Sequence, residues 1–99
     1  MNTPFTLEVG PAECPLICTV RMGRRDMKSP ADVQDPLHYP QPEIRIRRGM
    51  TEKETIGALI HEVLHLSDWN LSEPFVLDTE RAIVECLVKG GFIPDGGQQ

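Results

Sequence analysis

The sequence predicts an α+β fold, a small, mostly antiparallel sheet packed on two helices. Three observations lead there. Short stretches of alternating or β-branched residues occupy the first half of the chain. A capping box at Thr51 opens a long segment of helical period. A second amphipathic segment, ended by Gly90-Gly91, follows it.

Phe5-Thr-Leu-Glu-Val9 alternates apolar and polar, as a half-buried strand does, and Gly10-Pro11 ends it. Leu16-Ile-Cys-Thr-Val-Arg-Met22 is rich in β-branched residues and reads as a second strand. From Gly23 to Pro42 the composition shifts. Pro30, Pro36, Pro40 and Pro42, with Asp and Ser, predict a long irregular segment. Glu43-Ile-Arg-Ile-Arg47 alternates strictly and is the third expected strand, with Ile44 and Ile46 inward. Its arginine face points to solvent or to a ligand.

Gly49 breaks that strand, and Thr51-Glu-Lys-Glu54 starts a helix expected over 52–68. At 100° per residue, Ile56, Leu59, Ile60, Val63 and Leu66 fall on one side. Gly57, Ala58, His61 and His65 fall on the other, where small residues leave room for an approaching group. A connector is expected over 69–77, with Ser72-Glu73-Pro74 as its turn. Asp78-Thr79 then caps a second helix expected over 80–89. Phe92 and Ile93 are expected to fold back on the core, and 95–99 to form a mobile tail.

The chain of 99 residues accommodates one domain over 1–99 and one modest core. Its net charge of −5 argues against a nucleic-acid partner, and Arg45, Arg47 and Arg48 read as a solvated strand edge. Three cysteines, without a secretory signal, favour free thiols in a reducing, cytoplasmic setting. Cys14-x3-Cys18 lacks zinc-knuckle spacing, and Cys86 reads as a small core hydrophobe. No run of eighteen apolar residues exists, so no membrane span is expected.

The chemistry lies in His61-Glu62-Val63-Leu64-His65. On a helix, imidazoles four residues apart share a face and can bind one metal ion, with the intervening glutamate reaching a water on it. A catalytic zinc needs a third protein ligand and an open position. On the second expected helix, Glu80 shares its face with Ile83, Val84 and Leu87, whereas Glu85 lies with Arg81 and Lys89. An inward carboxylate needs a cation. Glu80 is therefore the expected third ligand, with Glu85, Asp78 and His38 as alternatives. Zinc held by His61, His65 and Glu80 implies hydrolysis through a metal-activated water with Glu62 as general base. His38, Tyr39 or an arginine are candidates to stabilise the transition state.

Over residues 43–87 this pattern resembles the gluzincin branch of zinc metallopeptidases. The resemblance is to its minimal members and small phage or mobile-element peptidases, and more distantly to ImmA/IrrE-type regulatory proteases. It implies a minimal zincin-like fold and a peptide or protein substrate, with the strand at 43–47 lining the cleft and pairing with an extended substrate. Glu80-Arg81-Ala82 departs from the Glu-Ala-Asn run of ImmA-type proteins, and no third histidine follows His65 at metzincin spacing. The alternatives are a non-catalytic binding module of the same fold and a phage accessory protein whose helix is only structural.

Overall fold

The computed structural model describes residues 3–96. In chain order it contains β1 (Phe5–Val9), β2 (Leu16–Met22), β3 (Ala31–Val33), β4 (Glu43–Ile46), α1 (Glu52–Ser67) and α2 (Glu73–Lys89). The fold is α+β. The strands form one mixed sheet in the order β1-β2-β4-β3. β1 and β2 pair antiparallel, as do β3 and β4, while β2 and β4 run parallel.

The alternation in the sequence decides which side chains meet the helices. Val20 lies beside Ile44, and Ile46 lies between Met22 and Ala31. Cys18, Val20, Ile44 and Ile46 are fully buried. Burying each of the branched side chains contributes about 1.5–3 kcal/mol. The opposite face of the sheet carries charge. Arg21 pairs with Glu43 at 2.8 Å, and Nε of Arg45 donates to Asp32 at 2.9 Å in a two-pronged ion pair. The arginine face expected to meet solvent or a ligand is thus neutralised across strands at Arg45.

The third expected strand is not the edge of the sheet. The proline-rich segment contributes β3, which covers β4 and becomes the outer strand itself. Arg47 N–H donates to the Pro30 carbonyl and Gln34 N–H to the Glu43 carbonyl, so residues 30, 32 and 34 face β4. Ala31 and Val33 consequently turn their backbone groups outward.

Helix α1 begins as expected. Thr51 Oγ1 accepts from the Glu54 N–H at 3.1 Å, and the Thr51 N–H donates to Glu54 Oε1 at 3.0 Å. Ala58, Leu59, Val63 and Leu66 pack on the sheet. Helix α2 packs on α1 rather than on the sheet, giving three layers. It starts seven residues before the expected position. Ser72 Oγ accepts from the Phe75 N–H at 3.3 Å, and Pro74 occupies the first turn, where its missing N–H costs no hydrogen bond. Asp78-Thr79, expected as the cap, lies inside the helix.

Ile93 is buried, but Phe92 is exposed. Of the expected tail, Asp95 is tied to Lys53 of α1 at 3.0 Å, and residues 97–99 lie outside the described residues. Among the described residues the three thiols are free. Cys18 is buried, and that burial pushes its thiol above the ordinary range. Cys86, expected in the core, is exposed because its face of α2 has no covering element. No helix of the described residues is long and apolar enough to cross a membrane.

Candidate metal centre

The two histidines of α1 stand one helical turn apart and their rings meet edge to face, with centroids 4.9 Å apart. Both are mostly covered. The surface they share is the seam between α1 and α2. Gly57, expected to leave space for a ligand, instead lets α2 approach. A Cβ there would meet Glu80 Oε2 at 2.9 Å and Val84 Cγ2 at 3.6 Å. Ala58, on the same expected face, is buried against the sheet.

Glu80 does reach the histidines, but not at the atoms that converge. Its Oε1 accepts from Nδ1 of His61 at 2.9 Å. The Nε2 atoms of His61 and His65 approach to 3.2 Å, and Oε1 of Glu73 lies 3.0 Å from the first and 2.9 Å from the second. His61, His65 and Glu73 thus form a group that can hold a metal ion. The third member of the converging group is Glu73, not Glu80. The physical reason is the early start of α2. Two additional turns of helix place Glu73 on the same face as Glu80, about two turns nearer the helix start. A signal was present in the sequence, since Ser72 followed by a proline in the next turn is a helix start as well as a turn.

The spacing of the three atoms has a chemical consequence. His61 uses its single neutral N–H on Glu80, which leaves Nε2 as a lone pair facing the Glu73 carboxylate. Two acceptors at 3.0 Å repel unless a cation stands between them, either a proton on Nε2 or a metal ion. Ligand atoms roughly 2.0–2.1 Å from a tetrahedral zinc stand about 3.3 Å apart. Sides of 3.2, 3.0 and 2.9 Å are close to one face of such a tetrahedron. A carboxylate on the remote nitrogen of a ligating histidine is the usual device for fixing its tautomer and ring orientation.

Glu62, between the two histidines on α1, is only 7% exposed. No ion pair joins it to either histidine. Burial pushes its carboxyl above the ordinary range, His61 and His65 pull it back, and Asp32 and Glu73 raise it further. It lines a cleft of about 620 Å³ together with His61, His65, Glu73 and the β3 residues Ala31 to Val33. That volume is ordinary for a ligand site. Arg47 also lines the cleft, because β4 ends at Ile46 and the chain turns at Gly49, where φ is +93°. Its Nη1 donates to the Met27 carbonyl at 3.3 Å.

The remaining candidates are elsewhere. His38 and Tyr39 do not line the cleft. Asp35 holds the loop in place, accepting from the Leu37 N–H and from Nδ1 of His38 at 2.8 Å, and both residues are exposed. Asp78 and Glu85 pair with Arg81 and Lys89 on the exposed side of α2. Comparison with protein-family models, with curated proteins and with solved structures found no match.

Proposed function

We propose that the protein is a zinc-dependent metallopeptidase of minimal gluzincin type, with His61, His65 and Glu73 as ligands. The observation that carries the reading is the convergence of His61 Nε2, His65 Nε2 and Glu73 Oε1 at 2.9–3.2 Å beside a buried Glu62 in an open cleft. Two histidines and one carboxylate are the donor set of a catalytic zinc, leaving one position free. Zinc so bound supplies a Lewis acid and a water of near-neutral pKa.

The protein's own groups divide the remaining work. Glu62 takes the water's proton and passes it to the leaving amine. Glu80 orients His61 and takes no part in proton transfer. The outward N–H of Ala31 and the backbone groups of Val33 offer an extended peptide a strand to pair with, alongside the cleft, while the Ala31 carbonyl accepts from Ser29 Oγ at 3.0 Å. The strand expected in that role, at 43–47, lies inside the sheet between β2 and β3 and has no free edge.

Elemental analysis of the purified protein should find one zinc per chain. Cleavage of a peptide library should be lost in Glu62→Gln with zinc retained. Zinc at full occupancy with no cleavage of any peptide would sink the peptidase reading and favour a binding module. A protein that takes up no zinc would remove the metal centre as well.

A further inference from the structure

Helix α2 buries only one of its faces. With Phe75 at 0° and 100° per residue, Val76, Glu80, Val84 and Leu87 fall between about 100° and 180°, the side that meets α1. Glu73 falls at about 160°, on that same side. Phe75, Cys86, Thr79 and Ile83 fall at about 0–80°, with Ala82 just beyond Phe75. Nothing in the described residues covers this second stripe. Phe75 is 52% exposed and Ile83 38%. Phe92, 75% exposed, folds its ring over Gly90 at the far end, where a Cβ would meet it at 2.7 Å. The stripe therefore has an aromatic ring at each end, with Ile83 and the smaller Thr79, Ala82 and Cys86 between them.

Two charges of opposite sign border the stripe near its two ends, Asp78 at about 300° and Lys89 at about 320°, while Glu85 and Arg81 lie farther round the helix. Reversing the helix exchanges their signs. Two copies of α2 packed antiparallel about Ile83 set Asp78 of each opposite Lys89 of the other. In a parallel pair these flanks would lie on opposite sides of the contact and the charges would not meet. The existing pairs within the helix, Arg81–Asp78 at 3.4 Å and Lys89–Glu85 at 3.7 Å, are exposed and contribute little, so exchanging partners costs little.

We propose that this face of α2 is the contact of a homodimer in which two copies of the helix pack antiparallel, centred near Ile83. Thr79, Ala82 and Cys86 let the helix axes come close, within the roughly 8–10 Å of packed helices. The rings of Phe75 and Phe92 cover opposite ends of the contact. The cleft stays open, because Glu73 and the histidines lie on the other side of α2. The contact also steadies the one element that joins the rest of the protein only through α1.

Sedimentation velocity on the intact chain tests this. The weight-average mass should rise with concentration from 11.1 kDa toward twice that value. Ile83→Asp should hold it at the monomer value with unchanged circular dichroism and zinc content. Lys89→Glu and Asp78→Lys should each weaken the dimer by roughly ten-fold, and the two together should restore it. A monomer at every concentration would overturn the proposal and leave the face to a different protein. A dimer indifferent to Ile83→Asp would place the contact elsewhere. Single charge changes that the double variant fails to rescue would overturn the antiparallel register.

Discussion

Oε1 of Glu80 accepts a hydrogen bond from Nδ1 of His61 at 2.9 Å, while Nε2 of the same ring faces Glu73 at 3.0 Å. One imidazole thus lies between two carboxylates of the same helix, and their roles differ. Loss of the orienting partner of a histidine ligand typically costs 10–100-fold in metal affinity. Glu80→Ala should lower zinc affinity by about that factor, and Glu73→Ala by more, since it removes a proposed ligand. Glu80→Gln, whose amide oxygen still accepts from Nδ1, should remain near wild type. Competition titration with a chromophoric chelator measures all three. A larger loss in Glu80→Ala than in Glu73→Ala would reverse the assignment.

Gly57 controls how closely Glu80 approaches. An added Cβ would meet Oε2 of Glu80 at 2.9 Å, and the other oxygen of that carboxylate is held on His61. Gly57→Ala gains about 0.8–1.0 kcal/mol in helix propensity. Displacement of Glu80 opposes that gain. The metal-free protein should change stability by less than about 1 kcal/mol, while zinc affinity falls by roughly ten-fold. Urea titration and zinc competition separate the two effects, and unchanged affinity would show that Glu80 yields without loss.

Zinc at the proposed centre would join the first turn of α2 to the end of α1. At free zinc 100 times Kd the native state gains about 2.7 kcal/mol. For a chain of this size that is a rise in Tm of roughly 10–20 °C, reversed by chelator. Trp69 is the single tryptophan and its ring lies 6.4 Å from that of His65. Its fluorescence should be quenched by Co²⁺ or Cu²⁺ at one equivalent in the wild type, and far less in His65→Ala.

The capping box of α1 makes an acid-sensitive contribution. The backbone N–H and the side chain of Thr51 hold the Glu54 carboxyl below the usual carboxylate range. A carboxyl with a depressed folded-state pKa contributes stability above its unfolded pKa, about 4.3, and loses it as pH falls. Thr51→Ala should cost about 1 kcal/mol at neutral pH. Glu54→Ala should flatten the fall in stability below about pH 4.3, as followed by thermal unfolding. An equally steep acid decline in Glu54→Ala would assign it to other carboxylates.

Residues whose partners are near in sequence were legible in advance. The capping box at Thr51 and Glu54 formed as expected, because both groups lie within one turn. Strands β1 and β4 follow their alternation, and β2 its β-branched run. β3 was hidden because Ala31–Val33 is only three residues long and flanked by prolines, and its pairing with β4 outweighs local propensity. The start of α2 was missed because Ser72-Glu73-Pro74 serves a turn or a helix start equally well in isolation.

The sequence by itself determined that His61, Glu62 and His65 would share one capped helix, since helical spacing is set by local backbone geometry. It also determined that Glu80 would face inward, by its place among Val84 and Leu87. Only the tertiary structure decided which carboxylate meets the converging nitrogens. That choice depends on where α2 begins and on how closely Gly57 lets it approach α1. Both are consequences of packing between segments, and they put Glu73 at Nε2 and Glu80 at Nδ1.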